Sequence, residues 1–594
     1  MRGQGPLPAR NRESNMTLTT LDWTIILAFM AVSLVIGVIF TKRASSSLSE
    51  FFLSGRSMPW WLAGTSMVAT TFSSDTPLYI TSLIRTKGIY ENWQWWCFLL
   101  SGMLSVFFFA RLWRRAGVVT DVELTEMRYS GKEAAALRGF RAIYFSVAIH
   151  TIIKAQIILA MAKIMGVFFD VGKWQAIAIS FAVTLFYAIL SGYWGVILTD
   201  FFQFILAMIG AIALAWIAVT HAGGLSGLEA KVTTAYPAMH YTDFFPPVGG
   251  DLFGPAALTF IAYMGLSWWS KYSSDGGGVV VQRMSSCKDE RHALLGTLFF
   301  NIANYAVRSW PWILAALASL ILYPVVGGED PDLIYPRMAQ ELMPSGLKGL
   351  MVAAFFAAFM SSMSTYLNLS SSYLINDFYK RFIVKDRADR HYVNASRLAT
   401  LVLSLITAYV AYQATSIVGV FKFLIAFGSG TGLVYLVRWY WWRVNAWSEI
   451  SAMLASTTIS ITLFQDAYKE MPYYEKLFLI ISISTAIWVV VTFLTKPTDE
   501  SKLIEFYKRA APGGPGWKHI EAKVIEPHER GKSIAGDVVH FVLGTVMVYG
   551  YTLGLGKLLL GHSTEGIFFL IGAVVSTVLL YSGLTKRGWN KVYE

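Results

Sequence analysis

Apolar runs of roughly 20 residues, each long enough to cross a lipid bilayer, recur along almost the whole chain. A soluble chain carries about a quarter of its residues as Asp, Glu, Lys and Arg. Here 14% of the 594 residues are charged and 55% are hydrophobic. The runs are continuous rather than short and alternating, so they read as helices and not as the strands of a barrel. The expected fold is an all-α polytopic membrane protein in a lipid bilayer, with about 15 transmembrane helices. They fall near 21–41, 60–84, 93–113, 139–168, 174–191, 196–221, 256–270, 293–323, 347–378, 396–415, 419–440, 446–465, 474–494, 535–560 and 565–583.

The net charge of +12 sits in particular loops and not in one patch, so no nucleic-acid partner is expected. Two cysteines, Cys97 and Cys287, do not make a disulfide framework. The first fifteen residues are polar and lack an apolar signal core; they read as a tail or as sequence ahead of a start at Met16.

An odd number of spans puts the termini on opposite sides. With the N-terminus outside, "RLWRRAG", "YKRFIVKDRADR", the 495–534 loop and "TKRGWNK" are all cytoplasmic, while "GGEDPD" faces out, as the positive-inside bias requires. The expected location is the plasma (inner) membrane, multi-pass, with the C-terminus cytoplasmic. The expected organisation is an outer tail (1–20), an additional N-terminal helix (21–41), two five-span groups (60–221 and 256–440), peripheral helices (446–494), a cytoplasmic connector (495–534) and two C-terminal helices with a tail (535–594).

Each group opens on an interrupted helix. The first contains "ATTFSSDTPLY", with Asp75 and Pro77 at mid-depth, and the second runs into "SSDGGGVV". A third break, "GSGTG" (428–432), closes the second group. Paired interruptions at matching positions point to a transporter built from inverted repeats, with its site at the breaks. Unwinding over 69–76 exposes carbonyls that suit a hard cation and hydroxyls that suit a polar solute; the other reading is a proline kink satisfied by neighbouring helices.

In "AAFMSSMSTYLNLSSS" (357–372), Ala358, Ser361, Ser362 and Thr365 share one helical face. Such hydroxyls either pack and bond back to their own helix or line a site. Asp200 is a carboxylate at mid-span that needs a cation or a basic partner. Lys154 is its counterpart, placed to pair with Asp200 or to bind an anionic group. Arg308 and Lys422 are further basic candidates, and His150 reads as structural. The aromatic clusters "NWQWWC", which holds Gln94, and "GLSWWSKY" suit stacking on a ring-bearing solute. There is no nucleotide-binding loop, HExxH or clustered Cys/His set, so the chain is not expected to be an enzyme.

The stretches "EFFLSGRSMPWWLAGTSMVATTFSS", "SGYWGVILTDFFQF", "VVVQRMSSCKDE" and "GLKGLMVAAFFAAFMSSMSTYLNLSSSYLINDFYKRF" resemble the sodium:solute symporter family, relatives of sodium/sugar cotransporters and bacterial sialic acid transporters. The resemblance spans about 20–495. It implies a LeuT-type fold of two inverted five-helix repeats plus peripheral helices, working by alternating access as a sodium-coupled importer of a sugar, sugar acid or other organic acid. The alternatives are a solute sensor on the same fold or a proton-coupled transporter. It further implies two sodium sites: Ala69, Phe72, Ala358, Ser361 and Ser362 for the first, and Asp200, Ser361, Ser364 and Thr365 for the second. Solute contacts would fall at Thr71, Ser73, Thr76, Gln94 and Lys154. The "KYSSDGGG" insertion departs from the family pattern and leaves the inner half of the site open.

Overall fold

Two interruptions, each forced by residue type, organise the helices. The computed structural model describes residues 17–44, 56–118, 120–190, 193–247, 253–524 and 534–586. Residues 1–16 of the expected tail, 525–533 of the connector and 587–594 lie outside the described residues.

After α1 (Thr20–Ala44), helix α2 (Trp60–Thr71) ends where Phe72 leaves helical geometry at φ −88°, ψ 84°. The chain restarts as α3 (Asp75–Thr86), with Asp75 and Pro77 in its first turn, where a missing N–H breaks no helical bond. The unwound part is therefore shorter than expected. The Phe72 amide still donates to the carbonyls of Val68 (2.8 Å) and Ala69 (3.2 Å), which holds the helix together to Thr71.

Helices α4 (Ile89–Ala116), α5 (Gly131–Phe169), α6 (Lys173–Leu190) and α7 (Tyr193–His221) follow. Helix α8 (255–270) then stops at Lys271, which is extended with ψ 152°. Helix α9 (Gly277–Ser286) resumes through Gly278 at φ 51°, ψ −117°, a conformation that disfavours any residue bearing a Cβ. Next come α10 (Glu290–Leu322), α11 (Leu347–Ile383) and α12 (Asp389–Gln413). Helices α13 (Ile417–Gly428) and α14 (Gly432–Tyr440) form a pair bent by 41°. The remainder is α15 (Ala446–Leu463), α16 (Tyr473–Leu494), α17 (Glu500–Ala510) and the hairpin of α18 (Ile534–Leu559) with α19 (Ser563–Lys586).

The expectation of about fifteen spans is corrected here. Among the described residues, nine helices are long and apolar enough to cross a membrane, or ten if the α13–α14 pair counts as one. Part of the excess came from apolar windows that the fold does not use as whole apolar helices. The 60–84 window is cut into two twelve-residue helices, and the one at 256–270 abuts the glycine break. In α15, repeated Ser and Thr dilute the apolar character. A count of nine or ten leaves the parity undecided, so the orientation of the termini rests on the distribution of Lys and Arg.

A chain of buried charges ties the second break to the helices around it. Asp275 accepts from Arg438 Nη2 at 2.7 Å, and Glu449 accepts from Arg438 Nη1 (3.2 Å) and Arg141 Nη1 (2.9 Å). This links α14, α15 and α5 to the segment between α8 and α9. The connector is folded where described: Arg128 lies 5.4 Å from the ring of Phe506 on α17 and 4.9 Å from that of Trp517.

Gly432 at the start of α14 lets the end of α8 approach. A Cβ there would fall 2.2 Å from the carbonyl carbon and oxygen of Ser270, which are backbone atoms and cannot swing away. The Ser274 hydroxyl also donates to the Gly432 carbonyl at 3.0 Å. Gly432→Ala is expected to destabilise the protein by about 1–3 kcal/mol or more, as overpacking does. A thermal melt of the purified variant checks it.

Candidate functional site

The first break opens onto a cavity of about 310 Å³ between α2–α3 and the second break. That volume is at the lower end of the usual range for small-molecule sites. Thr71, Ser73, Thr76 and Asp75 line it from the first break, and Lys271 with Gly276–Gly278 from the second. Arg308 of α10 and Gln156 of α5 also reach it.

Of the expected solute-binding residues, Thr71, Ser73 and Thr76 are in this wall, and Gln94 and Lys154 are not. Gln94 is buried and spent on two phenols: its Oε1 accepts from Tyr79 at 2.5 Å and its Nε2 donates to Tyr263 at 2.8 Å. It positions Tyr79, which does line the cavity. Lys154 is fully buried on α5, and its Nζ has no hydrogen-bond partner. It does not pair with Asp200. Thr71 spends its proton on the Met67 and Val68 carbonyls, both at 3.0 Å, and accepts from Arg308 Nη1 at 3.3 Å.

The eight positions expected around sodium lie close together where α2 ends against α11. Ser362 donates to the Thr70 carbonyl at 2.8 Å, joining the end of α2 to the hydroxyl face of α11. Ala358 lies one turn before Ser361 and Ser362, and all three are buried. Ala69 and Phe72 flank Thr70 at the point where α2 unwinds. Backbone carbonyls at such a break, with hydroxyls opposite, are the all-oxygen kind of donor set that suits a hard monovalent cation.

Asp200 of α7 lies beside this cluster, fully buried. Its Oδ1 accepts from Ser361 at 2.5 Å and its Oδ2 from Ser66 at 2.6 Å. Its basic neighbour is Arg283 of α9, whose Nη2 is 3.9 Å from Oδ2. That guanidinium also donates to the hydroxyls of Thr70 and Thr365, each at 3.1 Å, and to Ser66 at 3.3 Å. Ser364 bonds back to the Ser361 carbonyl at 3.1 Å. Arg283 is not among the residues expected at a site from sequence, although it stands in "VVVQRMSS" as a lone charge after an apolar run. Ser66, which donates to Asp200, and Thr70 and Asn304, which line the cavity, are likewise absent from the expected set.

The sequence profile of the sodium:solute symporter family matches residues 51–456, well over half of the chain. The chain belongs to the sodium:solute symporter family. As such it is a sodium-coupled symporter of a small polar solute, a multi-pass membrane transporter and not an enzyme. It is 24% identical over 552 residues to sodium/glucose cotransporter 4 of Danio rerio, covering 83% of this chain and 81% of that one. It is 23% identical over 511 residues to the sodium/glucose cotransporter of Vibrio parahaemolyticus, covering 81% and 92%. Its structure resembles that of a Na⁺-coupled sialic acid symporter in a substrate-bound outward-open state, with a TM-score of 0.65 at 20% identity, covering 81% of this chain and 99% of that one. That likeness bears on the fold alone: an all-α symporter fold of LeuT-like type.

Proposed function

We propose that this symporter imports a sugar, sugar acid or other small organic acid through the cavity at the two breaks, by alternating access, with two sodium ions as coupling cargo. The observation that carries the reading is the meeting of the unwound end of α2 with the Ser361–Ser362 pair of α11, fastened by the Ser362–Thr70 bond. Ala69, Phe72, Ala358, Ser361 and Ser362 would hold the first ion, and Thr71, Ser73 and Thr76 the solute. Relatives named for glucose and a fold neighbour named for sialic acid support testing sugars and sugar acids first.

A second ion would use Asp200, Ser361, Ser364 and Thr365. The Ser361 oxygen keeps its lone pairs while its proton rests on Asp200, so it can serve both. Arg283 shares the carboxylate and would have to yield part of it. The two repeats would comprise 60–221 and 256–440. The Lys/Arg bias supports an outside N-terminus and a cytoplasmic C-terminus in the plasma membrane.

The test is a thermal-shift screen of purified protein against sugars, sugar acids, carboxylates and amino acids, each in sodium and in potassium. A ligand at 100 times its Kd stabilises by about 2.7 kcal/mol, a readable shift. Ser362→Ala is expected to weaken the sodium response at least about tenfold, as loss of metal-site groups does, while leaving membrane insertion intact. Shifts indifferent to sodium would refute the coupling.

A further inference from the structure

Among the described residues, three charged side chains line the cavity, Asp75, Lys271 and Arg308. Asp75 and Arg308 are not in ion-pair contact with each other or, among the described residues, with any other side chain. Each is held by neutral groups only. Asp75 Oδ2 accepts from Gln156 Nε2 at 2.5 Å, while its Oδ1 is buried with no hydrogen-bond partner. Arg308 donates from Nη1 to the Val68 carbonyl at 3.1 Å and to Thr71, and its Nε has no partner. A carboxylate and a guanidinium on the walls of one cavity, each with a buried polar atom unspent, are costly until something of opposite charge meets each.

The ligand that completes both carries an ammonium and a carboxylate. A neutral sugar would leave both charges uncompensated when the site closes. A simple acid would meet Arg308 or Lys271 and leave Asp75 without a cation, and a simple amine would leave Arg308 and Lys271 facing a cation. The walls suit the body of such a molecule: Trp95 and Tyr305 stack at 5.6 Å and 20°, with Phe300 and Phe421 nearby. An aromatic face also favours an ammonium.

We propose that the cargo is a zwitterionic amino acid, its ammonium held by Asp75 and its carboxylate by Arg308. This rests on the symport reading and narrows its organic-acid class. Asp75 is then the residue that separates amino acids from other acids.

The test uses purified full-length protein in detergent and sodium, with L-amino acids as probes. Each active one is compared with its deaminated acid and its decarboxylated amine, and D-glucose and gluconate serve as controls. The expected result is stabilisation by at least one amino acid, with each half-molecule at least about tenfold weaker, because a site built around a polar group rejects analogues lacking it. Asp75→Asn, checked for an unchanged melt without ligand and an unchanged response to sodium alone, is expected to lose the preference for the amino acid over its deaminated acid. Stabilisation by no amino acid, or equal potency of the deaminated acid on the native protein, overturns the proposal. So does loss of the sodium response in Asp75→Asn, which would make Asp75 an ion ligand. Amino-acid binding that is the same in potassium as in sodium supports the cargo assignment and overturns the sodium coupling instead.

Discussion

Glu449→Ala is expected to destabilise the protein by about 3–5 kcal/mol, the usual consequence of removing one partner from a buried ion pair. Glu449 is fully buried and accepts from Arg141, Arg438 and the Tyr129 hydroxyl, the last at 2.7 Å. Without it, two guanidinium groups face each other across a space that water enters poorly. Arg438 retains Asp275 at 2.7 Å, but Arg141 retains only Asp121, 3.6 Å away. The apparent melting temperature of purified protein reads the loss. The double variant Glu449→Ala with Arg141→Met is expected to be more stable than the sum of the single effects requires, since residues in one ionic network couple by about 0.5–3 kcal/mol. Strict additivity would mean that the two side chains act independently.

Asp200→Asn should be comparably costly, and its pairing with Arg283 separates two roles. Loss of the carboxylate removes the ion-pair partner of the buried Arg283 guanidinium, at about 3–5 kcal/mol. Adding Arg283→Gln removes the buried cation that faced Asp200 and should recover much of that stability. If Asp200 also binds sodium, the double variant regains its melting temperature but keeps a weakened sodium response. If the carboxylate serves only the guanidinium, the double variant responds to sodium as the native protein does.

The breaks were legible because they are made by residue types with few conformational options. Pro77 can begin a helix but not continue one from Thr71, and three successive glycines at 276–278 take positive φ values of 108°, 26° and 51°. The hydroxyl face of α11 was legible for a similar reason: its density on one helical side does not depend on any other segment. What stayed hidden depends on which segments meet. Asp200 needed a basic partner, but nothing along the chain ranked Arg283 above Lys154, because the choice is made by α9 folding back beside α2. Gln94 was read as free to meet a solute, and only the arrival of Tyr79 and Tyr263 uses up its amide. The helix count failed in part because a sliding apolar window cannot tell a whole span from two half-length helices, as at 60–84.

The most direct test of sodium-coupled symport is uptake into proteoliposomes of a compound that stabilises the protein in sodium. The vesicles carry a tenfold inward sodium gradient and 100 mV, negative inside. One ion then supplies about 3.7 kcal/mol, a ceiling of about 500-fold accumulation for a solute of no net charge, and two ions raise the ceiling to about 10⁵-fold. The predicted result is accumulation above the external concentration that collapses when potassium replaces sodium and is impaired in Ser362→Ala. Equilibration without accumulation, or accumulation indifferent to sodium, would contradict it.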